Sequence, residues 1–370
     1  MSAPFLNIAI VGATGAVGGV ALELLAGRGH PADRIVAMAS SRSAGKKLPY
    51  MGTQLTVIQA TPDSFAGVDV AFISATAAVS RALAPEAVRR GALVIDDGSA
   101  FRMEPDVPLV VPEVNGDDIE WHRGIISIPN CTTTPLVMVL AALHAVNPVR
   151  RVTVATYQAV SGTGAAAVRE LDRQSADVLA GRPTEASEYP HQIAFNVLPQ
   201  VDAFFDDGYT GEEHKMINET RKIMHLPDLP VSATCVRVPV TVTHSEAAHV
   251  ELERPMEPAE ASALLAAFPG VSLVDDPQRS VYPMPLDASG RDEVFVGRVR
   301  RDLSHPNGLA LWVACDNLRK GAALNALQIM DEAVRRNCVN PSQHMAQPAA
   351  PPETAGPPPA RVGRGNEERR

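Results

Sequence analysis

The chain has 370 residues, 45% of them hydrophobic, with a formal net charge of −9 and a mean hydropathy of −0.01. That length favours two domains over one core, and the acidic balance argues against a surface that neutralises nucleic-acid phosphates, which needs clustered Lys and Arg. No apolar run reaches membrane-spanning length; the longest, 135–143, stops at His144.

The opening, Met-Ser-Ala-Pro-Phe-Leu-Asn, lacks the charged-then-apolar order of a signal peptide. The four cysteines, Cys131, Cys235, Cys315 and Cys338, lie far apart with no metal-binding spacing. Free thiols and the cytoplasm are the expectation. Residues 5–12 read as a buried strand entering a glycine turn. A helical pattern follows through Val17, Val20, Leu22, Leu24 and Leu25 towards Gly27 and Gly29. Ile35–Ala39, 68–73 and 92–95 are further apolar strands, the last two separated by a helix from about Ala77 to Arg90. Strands alternating with helices predict an α/β fold with an N-terminal Rossmann-type, doubly wound parallel sheet over residues 1–130.

After Cys131 the pattern changes. A helix is expected over 132–145, then β stretches at 151–159, 233–244, 247–253 and 293–300, with a helix near 165–180 and loops over 181–211. This predicts a second, α+β domain over 131–316 on an antiparallel or mixed sheet. A strand at 309–314 and an amphipathic helix at 317–337 close the fold, the helix rejoining the first domain. Residues 341–370 are rich in Pro, Ala and Gly and are expected to be disordered.

Gly12-Ala-Thr14-Gly15-Ala16-Val17-Gly18 follows a strand and opens a helix. Glycines there let the backbone approach a pyrophosphate, whose charge sits against the helix N-terminus; a simple packing turn has the same pattern. NAD sites place an acid at the end of the second strand, whereas this chain has Ser40-Ser41-Arg42-Ser43. Arg and hydroxyls suit a 2′-phosphate, so NADP is the expected cofactor. Asn130-Cys131-Thr-Thr-Thr-Pro puts a thiol at the start of a helix, where the dipole and free N–H groups are expected to lower its pKa and to hold an oxyanion. By position alone a buried structural cysteine is the favoured reading.

Asn130-Cys131-Thr132-Thr133, Thr156-Tyr-Gln158-Ala-Val-Ser161-Gly162-Thr-Gly164, Gly211-Glu212-Glu213-His-Lys215-Met, Arg237-Val-Pro-Val-Thr-Val-Thr-His244-Ser-Glu, Phe101-Arg102-Met and Asp316-Asn317-Leu-Arg-Lys-Gly-Ala-Ala together resemble the aspartate-semialdehyde dehydrogenase family. The resemblance spans Phe5 to Cys338 and leaves only the tail outside. It implies an enzyme that reduces aspartyl phosphate with NADPH on the way to lysine, methionine and threonine, acting as a homodimer. Its partners would be a small-molecule substrate and inorganic phosphate, with no metal, nucleic acid or membrane. Carried over motif by motif, Cys131 is the nucleophile, His244 the acid/base and Gln158 the residue orienting thiol and substrate. Arg237 would meet the substrate carboxylate and Glu212 its ammonium, with Glu213 the competing neighbour. Arg102, Lys215 and Asn130 would hold phosphate. Gly12, Thr14, Gly15, Ala16, Val17, Arg42, Ser43, Ser161, Gly162 and Asn317 would meet the cofactor. An N-acetyl-glutamyl-phosphate reductase shares the fold and thiol but needs no acid for an ammonium. A non-catalytic homologue would be expected to have lost the nucleophile.

Overall fold

The computed structural model describes residues 5–339; the tail from 341 lies outside them. In chain order the first sheet is built from β1 (Ile8–Val11), β2 (Ile35–Ala39), β5 (Ile58–Gln59), β6 (Val70–Ile73), β7 (Leu93–Asp96) and β8 (Ile125–Ser127), all parallel, in the order β5-β2-β1-β6-β7-β8. Leaving aside the separate hairpin β3 (Lys47–Tyr50) and β4 (Thr53–Thr56), which the sequence reading did not anticipate, this is the 3-2-1-4-5-6 order of a dinucleotide-binding sheet. Its central strands are buried throughout, as their uninterrupted apolar runs require when helices cover both faces. Helices α1 (Ala16–Gly27) and α2 (Ala77–Arg89) are two of these covers, and a short α3 (Pro112–Asn115) precedes β8.

Helix α4 (Thr133–His144) leads into the second domain. It is apolar all round, and every residue from Thr133 to Leu140 is buried, the expected position for a helix without a polar face. The second sheet contains β9 (Val149–Gln158), β10 (Val231–Arg237), β11 (His244–Leu252), β12 (Val271–Leu273), β13 (Val294–Arg301) and β14 (Gly308–Cys315). Its order is β10-β9-β11-β14-β13-β12, and parallel and antiparallel pairs are mixed. Helices α4, α6 (Gly211–Ile223) and α7 (Pro258–Ala267) cover one face, burying Leu136, Leu140, Met216 and Leu265 against Val152, Val154, Val250 and Leu311. Helix α5 (Ala165–Leu179) stands apart with a small core of its own, and α8 (Pro285–Ala288) is a single turn.

The chain then returns to the first domain. Helix α9 (Leu324–Arg335) buries Ala326, Leu327, Ile329 and Met330 in the same core as Ile8, Ile10, Leu22 and Leu25. Two expectations need correction. The strand expected over 233–244 ends at Arg237; the chain leaves the sheet and re-enters at His244, which opens a strand and does not close one. The cause is Pro239, which cannot donate to a ladder, followed by Thr243 at φ +80°. The closing helix expected from 317 begins as a π turn, Arg319–Ala323, and becomes α-helical only at Leu324.

Candidate active site

Strand β1 lies between β2 and β6, so the connections leave it in opposite directions and open a crevice at the carboxyl edge of the sheet. Gly12 turns there at φ +90°, and a Cβ would stand 2.1 Å from the Ser74 carbonyl oxygen, a space no other residue fits. The Gly12 and Ala13 N–H groups bond the Met38 carbonyl at the end of β2, at 2.9 and 3.1 Å. Helix α1 starts after Gly15 with no side chain capping its N–H groups. Thr14 and Gly15 are exposed, and Ala16 and Val17 half-buried. Arg42 is exposed and Ser43 half-buried on the turn Ser41–Ser43, just past β2. Uncapped helix donors after β1 and an exposed guanidinium just past the neighbouring β2 fit a dinucleotide that carries an extra phosphate. Ser161, Gly162 and Asn317 lie elsewhere, in the second domain beside His244.

Cys131 lies just ahead of α4 on the loop that follows β8. It is half-buried in a cavity of about 370 Å³ that Asn130, Gln158, Gly162, Arg102, Glu212, Lys215 and Arg237 also line. Burial, then the Glu212 carboxylate, push the thiol up to about 12, against the pull of Arg237 and Arg102. The expectation of a lowered pKa is therefore not met in this state: burial and a neighbouring acid outweigh the cations around the thiol. Cys235, Cys315 and Cys338 are buried, and burial raises each of their thiols.

Glu212, on the first turn of α6, organises the charged wall. Its Oε1 accepts from Asn130 Nδ2 at 2.9 Å and Gln158 Nε2 at 2.8 Å, and its Oε2 accepts from Lys215 Nζ at 3.1 Å. Burial raises this carboxyl, but Lys215 and the two amide donors outweigh burial and leave it below the usual range. Glu213 faces away: it closes a capping box with Thr210, and its Oε1 accepts the Cys235 N–H at 2.9 Å. The cleft acid is thus Glu212. Lys215 also bonds Asp202 at 2.8 Å, and the Asn130 oxygen accepts from Thr132 N at 3.0 Å, so neither of these two expected phosphate contacts has an idle side chain.

Both cleft arginines are held by one edge. Arg102 donates to Glu219 at 3.0 Å and to the Asp97 carbonyl at 2.7 Å, and Arg237 to the Ala159 carbonyl at 2.7 Å. The Nε of each is buried without a partner among the described residues, an arrangement that suits an incoming anion.

Sheet register puts the remaining chemistry in one row. Arg237 pairs with Gln158, and His244 with Cys315; the step after the Ser245–Tyr157 pair brings His244 beside Gln158. The Ala159 N–H donates to His244 Nδ1 at 3.0 Å, which places the proton of the neutral ring on Nε2. Nε2 has no partner among the described residues. A Cβ on Gly162 would stand 3.2 Å from it and 3.1 Å from an Arg237 nitrogen, so glycine keeps this corner open. Burial and then Arg237 push the imidazole down to about 3, against Glu212, well below the ordinary imidazole value near 6.5. One step further from the cleft, Cys235, Thr156, Glu246 and Val313 form a second row. Glu246 is fully buried and neither oxygen meets a hydrogen-bond partner among the described residues; burial holds its carboxyl well above the usual range.

Three residues escaped the sequence reading. Glu219 accepts from Arg102 and from the Asn130 N–H, at 3.0 and 2.6 Å. Its signal was an acid seven residues past Glu212, on the inward stripe shared with Met216 and Ile223. Asp97 lines the cavity, yet a carboxylate among expected anion contacts has no motif to mark it. Gly321 packs on the thiol residue, with a Cβ there only 3.0 Å from that of Cys131, and only the unexpected π turn brings it there.

Residues 7–122 match the model of the semialdehyde dehydrogenase NAD-binding domain, and residues 140–320 that of the semialdehyde dehydrogenase dimerisation domain. The chain is 50% identical over 342 residues to the aspartate-semialdehyde dehydrogenase of Bacillus subtilis (strain 168), covering 90% of this chain and 99% of that one. The crystal structure of aspartate semialdehyde dehydrogenase II from Vibrio cholerae, complexed with ASA, is similar with a TM-score of 0.87 at 43% identity, over 90% of this chain and 99% of that chain. The Candida albicans aspartate semialdehyde dehydrogenase, solved with NADP, is similar with a TM-score of 0.71 at 26% identity, over 90% of this chain and 100% of that one.

Proposed function

The chain belongs to the aspartate-semialdehyde dehydrogenase family, and from that membership we propose that it reduces L-aspartyl 4-phosphate to L-aspartate 4-semialdehyde with NADPH through a thioester on Cys131. The observation that carries this reading is the convergence of Cys131, Gln158, Arg237 and Glu212 on one cavity, with His244 Nε2 and its proton in the adjoining corner beside Gly162. Gly12 to Val17 would hold the dinucleotide phosphates and Arg42 with Ser43 the 2′-phosphate; NADPH supplies the hydride when bound.

Arg237 would take the substrate α-carboxylate on its unpartnered Nε edge and Glu212 the α-ammonium, displacing Lys215 towards Asp202. Arg102 and the freed Lys215 would then take the phosphate. An ammonium against Glu212 cancels the electrostatic push that, after burial, does most to keep the thiol protonated. The Cys131 sulfur adds to the C4 carbonyl, its proton passes to the departing phosphate as the C–O bond to phosphate breaks, and a thioester remains. The His244 Nε2–H donates to the oxygen that gains charge at each addition, and the thiohemiacetal formed on reduction releases the aldehyde and the thiol. Gln158, fixed between Thr156 and Glu212 at 3.0 and 2.8 Å, orients both partners.

A homodimer is part of the proposal. The second sheet turns Tyr157, Ala247 and Trp312 away from the helices, with Tyr157 and Trp312 rings 5.2 Å apart, and an aromatic sheet face of this kind is suited to a second copy. Four free thiols suit the reducing cytoplasm.

The test follows NADPH absorbance in the reverse direction, from aspartate semialdehyde, phosphate and NADP. Wild-type enzyme should turn over, and Cys131→Ala should lose at least about a thousandfold in kcat with NADP binding intact. Activity of Cys131→Ala near wild type would remove the thioester from the scheme.

A further inference from the structure

Thr243, the residue directly before His244, has φ +80° and is completely buried. A β-branched residue rarely adopts such a backbone, because its Cβ crowds the neighbouring peptide. Something must hold it, and the holder is visible. The Thr243 N–H donates to Asn317 Oδ1 at 2.9 Å, while Asn317 Nδ2 donates to Ser161 Oγ at 3.0 Å. Both ends of the Asn317 amide are thus used inside the protein, although its resemblance placed it against the cofactor.

The surroundings make this a clamp. The segment 159–161 runs beside the loop 238–243, with Val160 N on the Val240 carbonyl at 2.8 Å, Ser161 N on the Thr241 carbonyl at 3.1 Å and Ala159 N on the His244 ring at 3.0 Å. Asp316 anchors Asn317 from behind: its Oδ1 accepts the Leu318 N–H at 2.9 Å and its Oδ2 the Gly290 N–H at 2.7 Å. Four residues further on, Gly321 of the same stretch abuts Cys131. We propose that Asn317 is a positioning residue that aims His244, by holding Thr243 in its left-handed backbone conformation through the Oδ1 bond to the Thr243 N–H. Without that acceptor the Thr243 N–H is buried and unpaired, and the strained peptide relaxes towards the extended region. His244 is carried away from the Ala159 N–H and from the open corner at Gly162.

The inference rests on His244 as the residue whose Nε2–H hydrogen-bonds the oxygen that gains charge, and the test separates the two. Steady-state kinetics are measured for wild type, Asn317→Ala, Asn317→Asp, Thr243→Gly, the double variant Asn317→Ala/Thr243→Gly, and His244→Ala. Asn317→Ala should lower kcat on the order of ten- to a hundredfold, with KM for NADP and for aspartate semialdehyde within about threefold. Asn317→Asp keeps the Oδ1 acceptor and should stay within about fivefold of wild type. Glycine adopts φ +80° without strain, so in the Thr243→Gly background the loss of Asn317 should cost less than about fivefold. Equal losses in both backgrounds, or a loss carried by KM for NADP, would overturn the clamp. If Asn317→Ala does not fold, Asn317→Ser, whose hydroxyl is too short to reach the Thr243 amide, carries the same comparison. A His244→Ala enzyme with near-normal kcat would overturn the role of His244 itself; a crippled His244→Ala with additive Asn317 and Thr243 effects would overturn only the clamp.

Discussion

Replacing Glu212 by glutamine removes one charge and almost no volume, and the cleft geometry sets two effects of opposite sign. The glutamine oxygen can stand where Oε1 stands and keep the bonds from Asn130 and Gln158, 2.9 and 2.8 Å long in the wild type. Its NH2 group then faces Lys215, which falls back on Asp202, already 2.8 Å away. The thiol loses the largest upward push on it after burial, so its pKa drops from about 12. Below the pKa each unit of that drop multiplies the thiolate fraction about tenfold, and alkylation by iodoacetamide at pH 8 should accelerate at least several-fold. The substrate ammonium, by contrast, loses a charge-assisted partner worth about 1.5–3 kcal/mol, so kcat/KM for aspartate semialdehyde should fall roughly 10- to 150-fold, while KM for NADP stays within about twofold. Both are read on one preparation, by mass-resolved alkylation of Cys131 and by NADPH absorbance. A Glu212→Gln protein that alkylates no faster than wild type, or that keeps its kcat/KM, refutes the placement of this acid between thiol and substrate.

With His244 held down to about 3, the ring is neutral at pH 5 and above, so log kcat should show no ionisation of this histidine near 6.5; an inflection between about pH 6 and 7 that disappears in His244→Gln would contradict this. Arg42→Glu should raise KM for NADPH at least about tenfold while hardly touching NADH; equal losses for the two would move Arg42 off the 2′-phosphate. Asp96 is fully buried, with Oδ1 on Ser80 at 2.6 Å and Oδ2 unpaired among the described residues, and burial raises its carboxyl from 3.8 to about 6. The folded chain therefore keeps this proton over a range in which the unfolded chain has released it. The stability it gives is present below pH 4 and lost as pH rises through 6, about 3 kcal/mol at 1.36 kcal/mol per pH unit. Asp96→Asn should gain in Tm relative to wild type between pH 5 and 7.5, and a difference constant with pH would refute the burial argument.

Much of this was legible in the chain because local chemistry and global fold agree there. The all-apolar β1, the glycine at the sheet edge and the unbroken hydrophobic surface of α4 each have one stable placement. The cleft residues were legible only through their joint motifs, since nothing local says that Glu212 and not Glu213 faces the thiol. That choice is made by Thr210, whose capping box takes Glu213. Val236, Val238, Val240 and Val242 alternate on past Arg237, so period alone extended the strand, although they are out of phase with the buried Ala233 and Cys235, and Pro239 was the cue against it. The ionisation states were illegible for a different reason. A helix start argues for a low thiol pKa, but burial and an acid seen only in three dimensions reverse the sign.

That reversal bears on how the site works. Among the described residues lining the cleft, Asp97, Asp202 and Glu212 oppose Arg102, Lys215 and Arg237, so the pocket carries little net charge and each cation is already engaged. The resting thiol is protonated and the imidazole neutral, which keeps the sulfur unreactive towards oxidants that attack thiolates. Under the proposed reading, activation would come from exchange of partners: a carboxylate for the unpartnered Nε edge of Arg237, an ammonium for Lys215 on Glu212, a phosphate for the released lysine. A ligand that lacks any one of these groups leaves one exchange undone and an engaged charge still engaged. Discrimination and thiol activation are on this account the same event. The two sheets meet around it: the first delivers Cys131 on the loop after β8, and the second presents Arg237, Gln158 and His244 in register. The returning stretch 316–321 touches both Thr243 and Cys131, so it ties the turn that leads into His244 to the thiol residue.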